Sequence, residues 1–132
     1  MQVIIGNTDV TQYVQQKTYD VNTEKNYITW TDSNYTEHRD AIYEKVVGSF
    51  QMVFIDGYMN DGVVVDGFGD FLELLEENTS QGVTTISLTV NNQNAELKTI
   101  SCFVDIHADP MLYPNNGSNA VVKRVTLSIK EQ

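Results

Sequence analysis

Cysteine is nearly absent from this chain, so no disulfide can close within it. Cys102 stands alone in an apolar, strand-like run, where a free cysteine packs as a small core residue. Histidine occurs only as His38 and His107, on separate segments, and no serine or cysteine sits in a nucleophile-elbow setting such as G-x-S-x-G, so a catalytic triad has no visible parts. Basic residues are scarce. Eight Lys and Arg face eighteen Asp and Glu, a formal net charge of −10, which argues against nucleic acid or an anionic membrane as the surface gripped. No apolar run approaches the roughly 20 residues that span a bilayer. Met1 to Ile5 pass directly into Gly6-Asn7 without a signal peptide, so a cytoplasmic origin is expected and the sequons at Asn34, Asn78 and Asn116 carry no expectation of glycans.

The remaining motifs give no site. Asp105 and His107 alternate on one side of a strand with Asp109 just beyond, but ligands from one strand end rarely close around a metal. Asp56, Asn60, Asp61 and Gly62 lack the spacing and the terminal glutamate of a calcium loop, and read as a turn. Gly67-Phe68-Gly69 lacks the third glycine and the preceding strand of a dinucleotide fingerprint. Neither enzyme chemistry nor a cofactor, metal or small-molecule substrate is expected.

Alternation of apolar and polar residues marks half-buried strands. Val46, Gly48, Phe50, Met52 and Phe54 share one face. Ile86, Leu88 and Val90 repeat the pattern, as do Ile100, Cys102, Val104 and Ile106, and then Val121, Val125, Leu127 and Ile129. Asn91 to Asn94 accept turn dihedrals and join Val83–Val90 to Leu97–Ile106 as a hairpin. Ala108 to Ala120 holds both prolines and reads as a long loop.

One helix is predicted over 66–78. Phe68, Phe71, Leu72 and Leu75 supply its apolar face, Asp66 its N-cap, and Asn78 with Gly82 its exit. The whole chain is expected to form one domain, mainly β: a β-sandwich or partly open barrel, one short flanking helix and an extended β-hairpin arm. That arm covers 22–44, where Tyr27-Ile28-Thr29-Trp30 and Tyr35-Thr36-Glu37-His38 flank Thr31 to Asn34. With Tyr27, Trp30, Tyr35 and Tyr43 but few aliphatic residues, it reads as a subunit interface rather than core. Between Lys45 and Lys98 no Lys or Arg occurs. Asp56, Asp61, Asp66, Asp70, Glu73, Glu76, Glu77 and Glu96 all fall there and define an acidic surface or lumen.

This order of elements resembles small structural proteins of phages and prophages of Gram-positive bacteria with the tail-tube type of fold. Its parts are a small strand, a long polar and aromatic arm, the strand Val46 to Phe54, the helix Phe71 to Asn78, a hairpin and a last strand. The resemblance implies a β-sandwich with one flanking helix and a hairpin reaching a neighbouring subunit. It also implies assembly with itself into rings, commonly of six, and with other tail proteins of a virion, around a lumen whose acidity lets DNA slide. The glycine- and acid-rich Asp56 to Gly67 departs from the pattern, so tail tube, distal tail, tail-completion and baseplate roles all stay open. A second reading is an acidic phage-encoded inhibitor that mimics nucleic acid and blocks a host defence enzyme, and a third is a carbohydrate-binding sandwich stacking sugars on Trp30 and the tyrosines.

Overall fold

A computed structural model describes residues 1–56, 58–60, 63–65, 67–91, 94–112 and 121–132, the side chains of 41, 42, 55, 56, 58–60, 63–65, 109–112 and 121 excepted. The strands are β1 (Val3–Ile5), β2 (Thr8–Asp9), β3 (Asp20–Thr31), β4 (Glu37–Asp56), β5 (Tyr58–Asn60), β6 (Val63–Val65), β7 (Thr79–Ser80), β8 (Val83–Val90), β9 (Glu96–Leu112) and β10 (Val121–Glu131). Helix α1 spans Gly67–Glu77, and two single-turn 3₁₀ helices lie at Thr11–Tyr13 and Gln16–Thr18.

One antiparallel sheet runs β2-β1-β8-β9-β10-β4-β3, with β7 beside β8; β5 and β6 pair separately. The sheet curls until its ends approach. Asn91 N–H donates to the Val21 carbonyl at 2.8 Å and the Tyr19 hydroxyl donates to the Thr89 carbonyl, so β3 meets the end of β8. Burial pushes the Tyr19 phenol up to about 12, which keeps it a donor at any ordinary pH. The result is a mainly β, partly open barrel, as the alternation implies.

One core fills it. Phe50, Met52 and Phe54 of β4 meet Val3 and Ile5 of β1, Ile86, Leu88 and Val90 of β8, Cys102 of β9, and Val125 and Leu127 of β10, all fully buried or nearly so. The Cys102 thiol is pushed up to about 11, chiefly by burial and further by the Glu131 carboxylate, so it is an inert core group.

Phe54 is the hinge between sheet and helix: Tyr13 and Phe71 each stand 4.9 Å from its ring centroid and Phe68 5.8 Å. Phe71 and Leu75 form the buried stripe of α1, flanked by partly buried Phe68 and Leu74. Leu72 is a correction. Expected in the core, it is 40% exposed, because each residue turns the helix by roughly 100° and the buried stripe is rotated toward Leu74. Asn78 closes the helix as expected, its side-chain amide donating to the Leu74 carbonyl at 2.9 Å. Gly82 plays a different part, because Gln81 and Gly82, at φ +54° and +80°, make the two-residue turn between β7 and β8. The N-cap expected of Asp66 lies outside the described residues.

Two strands outrun their prediction. β9 continues through Pro110 to Leu112, so Ala108 to Leu112 are strand where a loop was expected, and the rest of that expected loop, up to 120, lies outside the described residues. Proline is tolerated there because β8 accompanies β9 only as far as Thr84↔Cys102, leaving the outer edge of β9 unpaired among the described strands. For the same reason Ile106, expected in the core, is 38% exposed. β4 joins the expected arm strand and the expected core strand into 20 continuous residues.

Candidate functional site

The length of β4 creates the arm. β10 pairs with β4 from Asp56 down to Val47, and the Glu131 carboxylate accepts the Val46 N–H at 2.9 Å. Before Val46, β4 keeps β3 alone as a partner, from Lys25↔Glu44 to Thr31↔Glu37. Residues 25–31 of β3, at roughly 3.3 Å each, make a two-stranded ribbon about 20 Å long with both edges unpaired among the described strands. A register shift between Asn26 and Tyr27, the mark of a β-bulge, bends the ribbon near its root.

Side chains brace the ribbon from both faces. On one, Trp30 stacks on His38 with centroids 4.3 Å apart and its indole N–H donates to Asp40 Oδ2 at 2.8 Å. On the other, the Arg39 guanidinium lies 4.4 Å from the centroid of the Tyr27 ring. Near the root the Asn26 amide donates to the Tyr43 hydroxyl, and Lys45 Nζ lies 5.2 Å from the Tyr43 ring. Trp30 therefore does not fold back into the core. It is 45% exposed, and Tyr27, Ile28 and Tyr43 are similarly open, while Tyr35 at the tip is 91% exposed.

The tip is organised by one carboxylate. Asp32 accepts the N–H of Asn34 at 2.8 Å and of Thr36 at 3.0 Å, and meets His38 Nε2 at 2.7 Å. Tyr35 takes φ +62°, a conformation a tyrosine adopts only when its surroundings hold it. The His38 contact, then the Thr36 N–H, holds the Asp32 carboxyl below its ordinary 3.8. Because the folded value is the lower one, this contribution is complete above about pH 4 and is lost as pH falls through the folded value. The Asn34 and Thr36 amide signals in an NMR titration should therefore shift together with a midpoint below 3.8; a midpoint at or above 3.8 would contradict the tip geometry.

The four arm aromatics expected at an interface thus share one projecting element. The acidic residues do not. Asp70, Glu73, Glu76 and Glu77 lie on α1, whereas Glu96 is exposed at the start of β9. Asp61 and Asp66 lie outside the described residues, and Asp56 is described in its backbone only.

Sequence reasoning missed the Asp32–His38–Trp30–Asp40 cluster and Arg39, whose only advance signal was the alternation within β3. It also missed a groove of about 300 Å³ between α1 and the N-terminal segment, lined by Val10, Tyr13, Phe71 and Leu74 with Asp70, Glu73 and Glu77. Among the described residues no three His, Cys, Asp or Glu gather as metal ligands, and no helix is long and apolar enough to cross a membrane.

No protein-family model and no curated protein matches the chain. Among solved structures, the chain is similar at TM-score 0.41 and 16% identity to a chain of the sheath–tube complex of an extracellular contractile injection system, PVC, in the extended state. The alignment covers 97% of this chain and 82% of that one.

Proposed function

We propose that the chain is a non-catalytic structural subunit of a phage-tail-like particle, folded as a single unit over its 132 residues, which assembles with copies of itself into a ring or tube. The observation that carries this reading is the arm. A two-stranded ribbon with free edges has little stability in water by itself, yet this one holds five large apolar or aromatic side chains, Tyr27, Ile28, Trp30, Tyr35 and Tyr43, away from the core. Burial against a neighbour satisfies both the ribbon and its aromatics, and aromatic residues with polar tips are those that dominate interfaces. The acids of α1 then face solvent, partner or lumen, where they repel phosphate. The expected place of action is a virion tail, among other tail proteins.

Substituting Trp30 and Tyr35 together by Ser tests it. Both stand outside the core, so the variant should keep its melting transition and lose self-association in sedimentation velocity. Normal assembly of the double variant would overturn the arm's role.

A further inference from the structure

We propose that the groove between α1 and the N-terminal segment receives the Tyr27–Arg39 face of the arm of a second copy. This rests on the self-assembly reading and adds where the arm lands.

The groove combines an apolar floor with an unbalanced rim. Val10, Tyr13, Phe71 and Leu74 line it beside Asp70, Glu73 and Glu77. The three carboxylates follow one another at i, i+3 and i+7 along α1, so they run in a row of about 10 Å on one side of the helix. None of them pairs with a described residue, and the stretch from 46 to 97 contains no Lys or Arg. Like charges in such a row destabilise the helix, and an incoming cation relieves them.

The arm offers the complement. Arg39 lies over Tyr27 rather than against a carboxylate, and both stand where the ribbon has no third strand. A guanidinium beside a half-exposed aromatic ring matches a groove with an apolar floor and carboxylates along one wall, since arginine binds carboxylates through two parallel donors and the ring fills apolar space. The ring of Tyr27 suits the floor and the guanidinium the row Asp70, Glu73, Glu77.

Topology excludes the chain's own arm as occupant. The groove opens around Phe54, which touches both Tyr13 and Phe71, whereas the arm departs from β4 at Lys45 and runs the opposite way. The strand between Lys45 and Phe54 separates the two points by roughly 30 Å. The occupant is therefore another copy. Arm and groove are different surfaces at opposite ends of β4, so the contact is head-to-tail, the kind that repeats into a closed ring or a filament rather than stopping at a symmetric dimer.

Two variants test this. One carries Tyr27→Ser with Arg39→Glu and has a dead arm; the other carries Glu73→Lys with Glu77→Lys and has a dead groove. Each should keep its melting transition and weaken self-association by about 100-fold or more. Mixed, they should form a one-to-one pair and nothing larger, because each retains one working surface. Should either double variant fail to fold, the single exchanges Arg39→Glu and Glu77→Lys answer the same question. If the native protein assembles and the dead-arm variant does not, but the dead-groove variant assembles normally or the mixture gives no pair, this inference falls while the arm's role stands. A native protein that stays monomeric at every concentration removes both.

Discussion

Replacing Phe54 by Ala is expected to destabilise the protein by about 3–5 kcal/mol, the range for removing a buried phenyl ring from a packed core. The ring is 1% exposed and is the point at which three aromatic residues from two other segments converge: Tyr13 from the N-terminal 3₁₀ turn, and Phe68 and Phe71 from α1. Deleting it leaves a cavity whose walls belong to β4, the helix and the N-terminal turn, and this part of β4 is held in place because β10 pairs with it from Val47 to Asp56. Leu72→Ala on the flank of α1 provides the control, with a much smaller expected loss because that side chain is 40% exposed. Equal losses for the two substitutions in urea denaturation would contradict the orientation of the helix.

Gly48→Ala should cost roughly 3 kcal/mol or more, by a different route. A Cβ at this position would overlap the Asp20 carbonyl oxygen and lie 2.6 Å from the Val21 Cα, both backbone atoms of β3. No rotamer can relieve a collision with backbone, so the strands must separate where Val21 faces Gly48 in the register. That point lies between the core and the root of the arm, and Val21 also accepts the Asn91 N–H that draws β3 toward β8. Loosening it should therefore open the seam of the barrel and unseat the arm together. Hydrogen exchange provides the check, with faster exchange expected at Val21 and Asn91; a variant as stable as the native protein would contradict the close approach.

The two substitutions also show what can and cannot be read from residues alone. Phe54 was legible as core because its strand alternates cleanly from Val46, and the same rule places Ile86, Leu88, Cys102 and Leu127. Gly48 falls on the apolar face of that pattern, but nothing in the pattern says that another strand's backbone passes within reach. Leu72 and Ile106 were misplaced for a related reason: periodicity identifies apolar residues on a face, while the partner element decides how much of that face is covered. β8 stops beside Cys102, and Ile106 is left open. The arm was legible through its aromatic, aliphatic-poor composition. Its continuity with the core strand was not, since the polar run from Glu37 to Asp40 and the Glu44-Lys45 pair interrupt the alternation that marks the rest of β4. The groove gave no signal, because Val10 and Tyr13 meet Phe71 and Leu74 only through tertiary packing.

The mass of the native protein in solution, followed by sedimentation velocity with light scattering over a wide concentration range, tests the central claim most directly. A structural subunit whose aromatic arm seats on a neighbour should form discrete oligomers that grow with concentration and show closed rings or short tubes in negative-stain micrographs. A sharp, stable monomer at every concentration would contradict that account and would favour a soluble acidic protein that acts by occupying a basic groove of another molecule.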